Sequence, residues 1–158
     1  MLKNLVLFSF LVCFGQLAAG GDKTESSIPA EEWADVRYSD KKTEFNFSIP
    51  GDPKQEQGEI TFSYKSEYNG TKYHVRVLTQ GTPKNSTEAE KIMDGMKLPY
   101  TKIEPSPFDG VLAYQLESKD NPAVGRIYFS QSAGYFFAVE GNDLSEADNF
   151  FNSVQITK

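Results

Sequence analysis

The 158-residue sequence predicts an α+β domain: an αβα sandwich whose mostly antiparallel sheet has two helices packed on it. Three observations lead there. Short runs alternate apolar and polar residues with period two, two segments repeat apolar residues at helical spacing, and later runs are apolar on both faces. A sheet covered by one-sided helices buries all three kinds of segment.

The early strands come first. Glu44-Phe45-Asn46-Phe47-Ser48-Ile49 alternates strictly and stops at Pro50-Gly51-Asp52-Pro53. Ile60, Phe62 and Tyr64 alternate in the same way, as do Tyr73, Val75 and Val77. Asn69-Gly70 between the last two runs is a hairpin signal, because both residues accept the positive φ of a tight turn. Clean alternation predicts strands that face solvent on one side.

The first helix is expected at Ser86 to Lys97. Asn85 is its N-cap, Glu88 completes a capping box, and Ala89, Ile92, Met93 and Met96 form one apolar face. Pro99 ends it. The second helix repeats the pattern: Asp143 caps, Glu146 closes the box, and Ala147, Phe150, Phe151 and Val154 supply the face. Between the helices lie strands at Gly110 to Ser118, Val124 to Ser132 and Tyr135 to Glu140. Val111-Leu112-Ala113-Tyr114 and Tyr135-Phe136-Phe137-Ala138-Val139 are apolar throughout, which predicts the centre of a sheet covered on both sides.

The domain organisation follows from the first 32 residues. Lys3 opens a short basic start, Leu5 to Phe14 is an apolar run broken only by Ser9, and Gly15 to Gly20 is rich in small residues. Residues 1–20 thus read as a secretory signal peptide, too short for a membrane anchor. Cys13, the sole cysteine, follows the bulky Val12 rather than the small residue that lipidation requires. Gly21 to Glu32 reads as a polar linker with no apolar periodicity, and residues 33–158 as a single domain. The expected location is secreted or periplasmic.

Losing Lys3 with the leader leaves 15 basic residues against 22 acidic ones, a net charge of −7. That balance, without any cluster of Lys and Arg, makes nucleic acid and anionic membranes poor candidate partners. Without Cys13 the chain has neither a thiol nucleophile nor a disulfide, so its stability rests on the core.

Several of these segments carry a family resemblance. Phe45-x-Phe47-x-Ile49-Pro50-Gly51-x-Pro53, Arg126-Ile127-Tyr128 with Gly134-Tyr135-Phe136, and the ending Ala147-Asp148-Asn149-Phe150-Phe151-Asn152-Ser153-Val154-x-Ile156 resemble the packing motifs of small exported bacterial proteins of the PsbP/DcrB-like type. The resemblance spans about residues 33–158. It implies a compact αβα sandwich, exported and non-catalytic, with an accessory role; it transfers no functional residue.

The chemistry-bearing residues point the same way. His74, the sole histidine, shares a strand face with Lys72 and Arg76, which disfavours a bound cation and a protonated imidazole. No second His or Cys completes a metal site, so no metal ligand and no cofactor is expected. Ser130-Gln-Ser132-Ala-Gly134 is a hairpin turn rather than a nucleophile elbow. Asp109, Glu117 and Glu140 are the acids to test as a glycosidase-type pair. The segment Glu140 to Glu146 is oxygen-rich but lacks the order of an EF-hand loop, and capping accounts for Asp143 and Glu146. Three sequons occur, at Asn46, Asn69 and Asn85, of which Asn69 in the exposed turn is the best acceptor.

Tyr64 and Tyr73 fall on apolar stripes and read as core. Tyr68, placed in the hairpin loop, is the candidate partner contact. The sequence therefore supports a secreted or periplasmic non-enzymatic binding or accessory domain whose partner is another envelope or extracellular protein. The alternatives are a small envelope hydrolase using paired carboxylates, and a secreted inhibitor presenting Lys54 to Gly58 or Pro105 to Gly110 as a rigid loop.

Overall fold

A computed structural model describes residues 26–39, 44–58, 61–78, 83–95, 100, 102–106, 111–118, 121–130 and 133–157. The leader and Asp109 lie outside them. Among the described residues the order of elements is β1 (Trp33–Ser39), β2 (Glu44–Pro50), β3 (Lys54–Gln57), β4 (Thr61–Tyr68), β5 (Thr71–Leu78), α1 (Ser86–Gly95), β6 (Lys102–Ser106), β7 (Leu112–Glu117), β8 (Ala123–Phe129), β9 (Gly134–Glu140), α2 (Ala147–Asn152) and β10 (Gln155–Thr157).

The expected αβα sandwich with two helices packed on one sheet does not form. The chain is mostly β, built from two antiparallel sheets, and both helices are short. A seven-stranded sheet runs β3-β4-β5-β9-β8-β7-β6, and a three-stranded sheet runs β1-β2-β10. The physical reason is that residues 33–39 and 155–157 pair with β2 on its two sides. That second sheet covers much of the large sheet's inner face, where the sequence reading had put helix.

The alternation of β2 makes the main contact. Phe45, Phe47 and Ile49 are all buried, and Phe47 meets Tyr64 and Phe137 of the large sheet edge to face at 5.4 and 5.5 Å. α2 fills the rest of that layer. Its Phe150 packs at 5.4 Å against both Tyr73 and Phe137. Arg126 of β8 holds the helix from below: its guanidinium lies 5.0 Å from the Phe151 ring centroid and donates to Asn152 Oδ1 at 3.1 Å. α1 lies on the opposite face of the large sheet, where Ala89 and Met93 join Tyr114, Ile127 and Phe129 in a second core.

The position of β9 agrees with its composition: it is the middle strand of seven. β7 was also expected at the centre but sits next to the edge strand β6. It is apolar on both faces because α1 covers one of them at that end. The Asn69-Gly70 hairpin is a two-residue turn joining Tyr68 to Thr71, with φ of 48° and 79° at its two positions, as a type I′ turn demands. At α1 the Glu88 N–H donates to Asn85 Oδ1 at 3.0 Å, while the Glu88 carboxylate accepts from the Lys84 N–H instead of the cap residue's own. Met96 and Lys97 lie outside the described residues. Lys54 to Gln57 is an exposed edge strand paired with β4.

Candidate functional site

The face of β1-β2-β10 turned away from the core carries a convergence of polar side chains. Strand alternation produces it. In β1, Asp35 and Arg37 point outward and Ala34, Val36 and Tyr38 toward the core, while Trp33, at the start of the strand, is half-buried and also touches the core. Register then sets Asp35 opposite Ser48 and Arg37 opposite Asn46, and brings Gln155 to the other side of Asn46.

Asp35, Ser48 and Ser153 form a hydrogen-bonded ridge. The Ser48 hydroxyl donates to Asp35 Oδ1 at 2.7 Å. Ser153, which ends α2, accepts the Ser48 N–H at 3.0 Å and donates its own proton to the Phe150 carbonyl at 2.7 Å. On one side of the ridge is a hollow of about 410 Å³ lined by Arg37, Asn46 and Gln155. On the other is a hollow of about 540 Å³ lined by Trp33, Pro29, Ile28 and Asn149. Both volumes fall in the range of small-molecule sites.

Two electrostatic details shape this face. Arg37 forms an ion pair with Glu44, its Nε donating at 2.6 Å, so its charge is largely answered within the protein. Asn46 Oδ1 is shielded from water and accepts no hydrogen bond among the described residues. An orphan acceptor of that kind costs about 1–3 kcal/mol.

The Asp35–Ser48 pair has no imidazole beside it. Its activation requires a base such as imidazole, and the sole histidine stands on the outer face of the other sheet. There His74, half-buried on β5, faces Lys65 directly across β4 and is flanked by Lys72 and Arg76. Burial, and then Lys65, lower its pKa below 6.5.

Of the acids singled out in the sequence, Asp109 lies outside the described residues, and Glu117 and Glu140 do not come together. Glu117 stands opposite Val124, which stands opposite Val139; Glu140 is the next residue along β9. Glu117 and Glu140 therefore point to opposite faces of the sheet and cannot flank one bond. In the Glu140 to Glu146 segment Asp143 Oδ1 accepts the Ser145 N–H, and among the described residues no group of three His, Cys, Asp or Glu side chains is placed to hold a metal ion.

Glu146 does something that the capping pattern does not reveal. Its buried carboxylate turns away from the start of α2 and accepts hydrogen bonds from Ser26, Ser27 and Asn149. Burial alone pushes its pKa up, but these bonds outweigh it and hold the group at about 2. Residues 26–32, within the stretch read as linker, are thereby tied to the domain, with Ile28 buried.

Tyr68 is not in a loop. It ends β4, pairs with Thr71 and packs half-buried on the core. Tyr64 and Tyr73 are buried. Of the sequons, Asn69 is exposed at the turn, Asn85 is engaged as the cap of α1, and Asn46 sits in the polar face. Sequence reasoning missed that face. The available signal was the alternation of Trp33, Asp35 and Arg37, which marks residues 33–38 as a strand with a polar side.

Among the described residues no helix is long and apolar enough to cross a membrane. No protein-family model, no curated protein and no solved structure matches the chain.

Proposed function

We propose that this chain is an exported, non-enzymatic binding domain, working in a periplasm or outside the cell, and that it takes its ligand on the polar face of the small sheet. The observation that carries the reading is the convergence of Trp33, Asp35, Arg37, Asn46, Ser48 and Gln155 around two hollows that share one ridge. These groups sit on paired strands, which hold a binding constellation more rigidly than loops do. The leader-like residues 1–20 support export, and the resemblance of residues 33–158 to the PsbP/DcrB-like type supports an accessory role.

The test is a thermal shift. Ligand that binds only the folded state raises the melting temperature by mass action. Fractions of envelope or culture-medium extract are screened against the wild-type chain and against an Asn46→Ala, Gln155→Ala variant. A fraction that stabilises the wild type and leaves the variant unmoved is the expected result. Equal stabilisation of both, or a hydrolytic activity abolished by one carboxylate or serine substitution, defeats the proposal.

A further inference from the structure

Resting on that reading, we propose that the ligand is a neutral oligosaccharide, lying across the strands with sugar rings on both sides of the Asp35–Ser48 ridge.

The side-chain chemistry selects this class. Trp33 is the only tryptophan in the chain; half-buried and packed in part against the core, it lines one hollow beside Ile28, Pro29 and Asn149. A fixed indole presents an apolar plate, and the C–H face of a pyranose ring is the apolar side of a molecule that is polar at its rim. Across the ridge, around the other hollow, stand planar groups with paired donors or acceptors: the Arg37 guanidinium and the Asn46 and Gln155 amides, with the Asp35 carboxylate shared by both hollows. Neighbouring ring hydroxyls, each both donor and acceptor, match such forks two at a time.

Charge and satisfaction exclude the obvious rivals. Arg37 is paired with Glu44, and with Asp35 the three side chains sum to −1, so an anion gains nothing from this face; among the described residues no group of three His, Cys, Asp or Glu side chains is placed to hold a metal ion. Among the described residues the buried Asn46 Oδ1 lacks a donor. Once the Asn46 side chain turns outward, a hydroxyl between its cross-strand neighbours Arg37 and Gln155 supplies one, whereas a carboxylate or a phosphodiester has no proton to donate. A peptide supplies donors too, but its favoured mode is addition to a strand edge, not contact with the side chains of a face. Two hollows flanking a ridge suit a chain of rings better than one compact ligand.

The experiment uses the emission of Trp33, which reports from inside the site. The purified chain is titrated with cellopentaose, maltopentaose and chitopentaose, screened on an array of neutral glycans, and titrated separately with a mixed peptide pool. The expected result is a saturable emission change with at least one glycan. Asn46→Ala and Gln155→Ala should each weaken it about tenfold, the loss of roughly one hydrogen bond. Lys65→Ala, on the other sheet, should leave affinity unchanged, and circular dichroism shows whether each variant is folded. A blank across all the glycans overturns the proposal. Binding of peptides alone, dependent on Asn46, overturns the saccharide class and keeps the face as a site. If neither class moves Trp33, the binding face itself is overturned as well.

Discussion

Glu146 Oε1 accepts both the backbone N–H of Ser27, at 2.5 Å, and the Ser27 hydroxyl, at 2.6 Å, across 119 residues of chain. The contact is the latch that seats the segment before β1. It is also a pH-dependent element, because a carboxylate accepting several hydrogen bonds resists protonation.

The sign of that dependence is fixed. The folded pKa of about 2 lies below the ordinary 4.5, so the stabilisation is fully present above about pH 4.5 and is lost as the pH falls toward 2. Ser26 and Ser27 are exposed, which screens the interaction, so we expect roughly 1–2 kcal/mol from this group. Urea unfolding of Glu146→Gln at pH 7 should show that loss, and a flatter stability profile between pH 4.5 and 2. An unchanged profile would mean that the latch contributes nothing.

His74 is expected to titrate below 6.5, with burial as the first cause and Lys65 as the second. A lowered folded value means that its contribution is intact above pH 6.5 and declines as the pH drops through the folded pKa. NMR of the imidazole protons gives one clean curve, since the chain has a single histidine. Lys65→Gln should move the midpoint upward. A wild-type midpoint at or above 6.5 contradicts the placement of His74 beside Lys65.

Gly51 is irreplaceable for two reasons. Its φ is +80°, and a Cβ there would lie 2.8 Å from Ser66 Oγ and 3.2 Å from the Glu67 carbonyl oxygen. Ser66 is buried and donates to the Pro50 carbonyl, so it cannot swing away without losing that bond. Gly51→Ala should cost about 1–3 kcal/mol in chemical denaturation. Gly70, also at positive φ but with open space around it, should cost less on the same change.

Phe137 sits where the layers meet, edge to face with Phe47 of the small sheet, Tyr128 of its own sheet and Phe150 of α2. Phe137→Ala removes contacts in all three directions and should destabilise by about 3–5 kcal/mol. A cost under 1 kcal/mol would show that the small sheet is not packed on the large one.

Local signals were readable wherever one element decided its own structure. The alternation of Phe45, Phe47 and Ile49, the Asn85 cap, the Asn69-Gly70 turn and the doubly apolar run of β9 all depend on neighbours within a few residues. Each gave the right element, and for β9 the right place in the sheet. The three residues of β10 are too few to show any period, so no sequence pattern marks their return to β2. The polar run of β3 hides an edge strand for a similar reason: with no core face, it has no apolar alternation to display.

The sequence by itself determined an acidic chain with one histidine, a thiol confined to the leader-like segment, an apolar core and most of its strands. Tertiary structure decided that a second sheet, rather than a helical layer, covers the large one. It also decided that Glu146 reaches Ser27 and that Trp33, Asp35, Arg37, Asn46 and Gln155 share one surface. The physical reason is common to all three. Hydrogen bonds between strands, and a carboxylate's choice of donor, are settled by which distant segments come alongside, and periodicity along the chain does not record that.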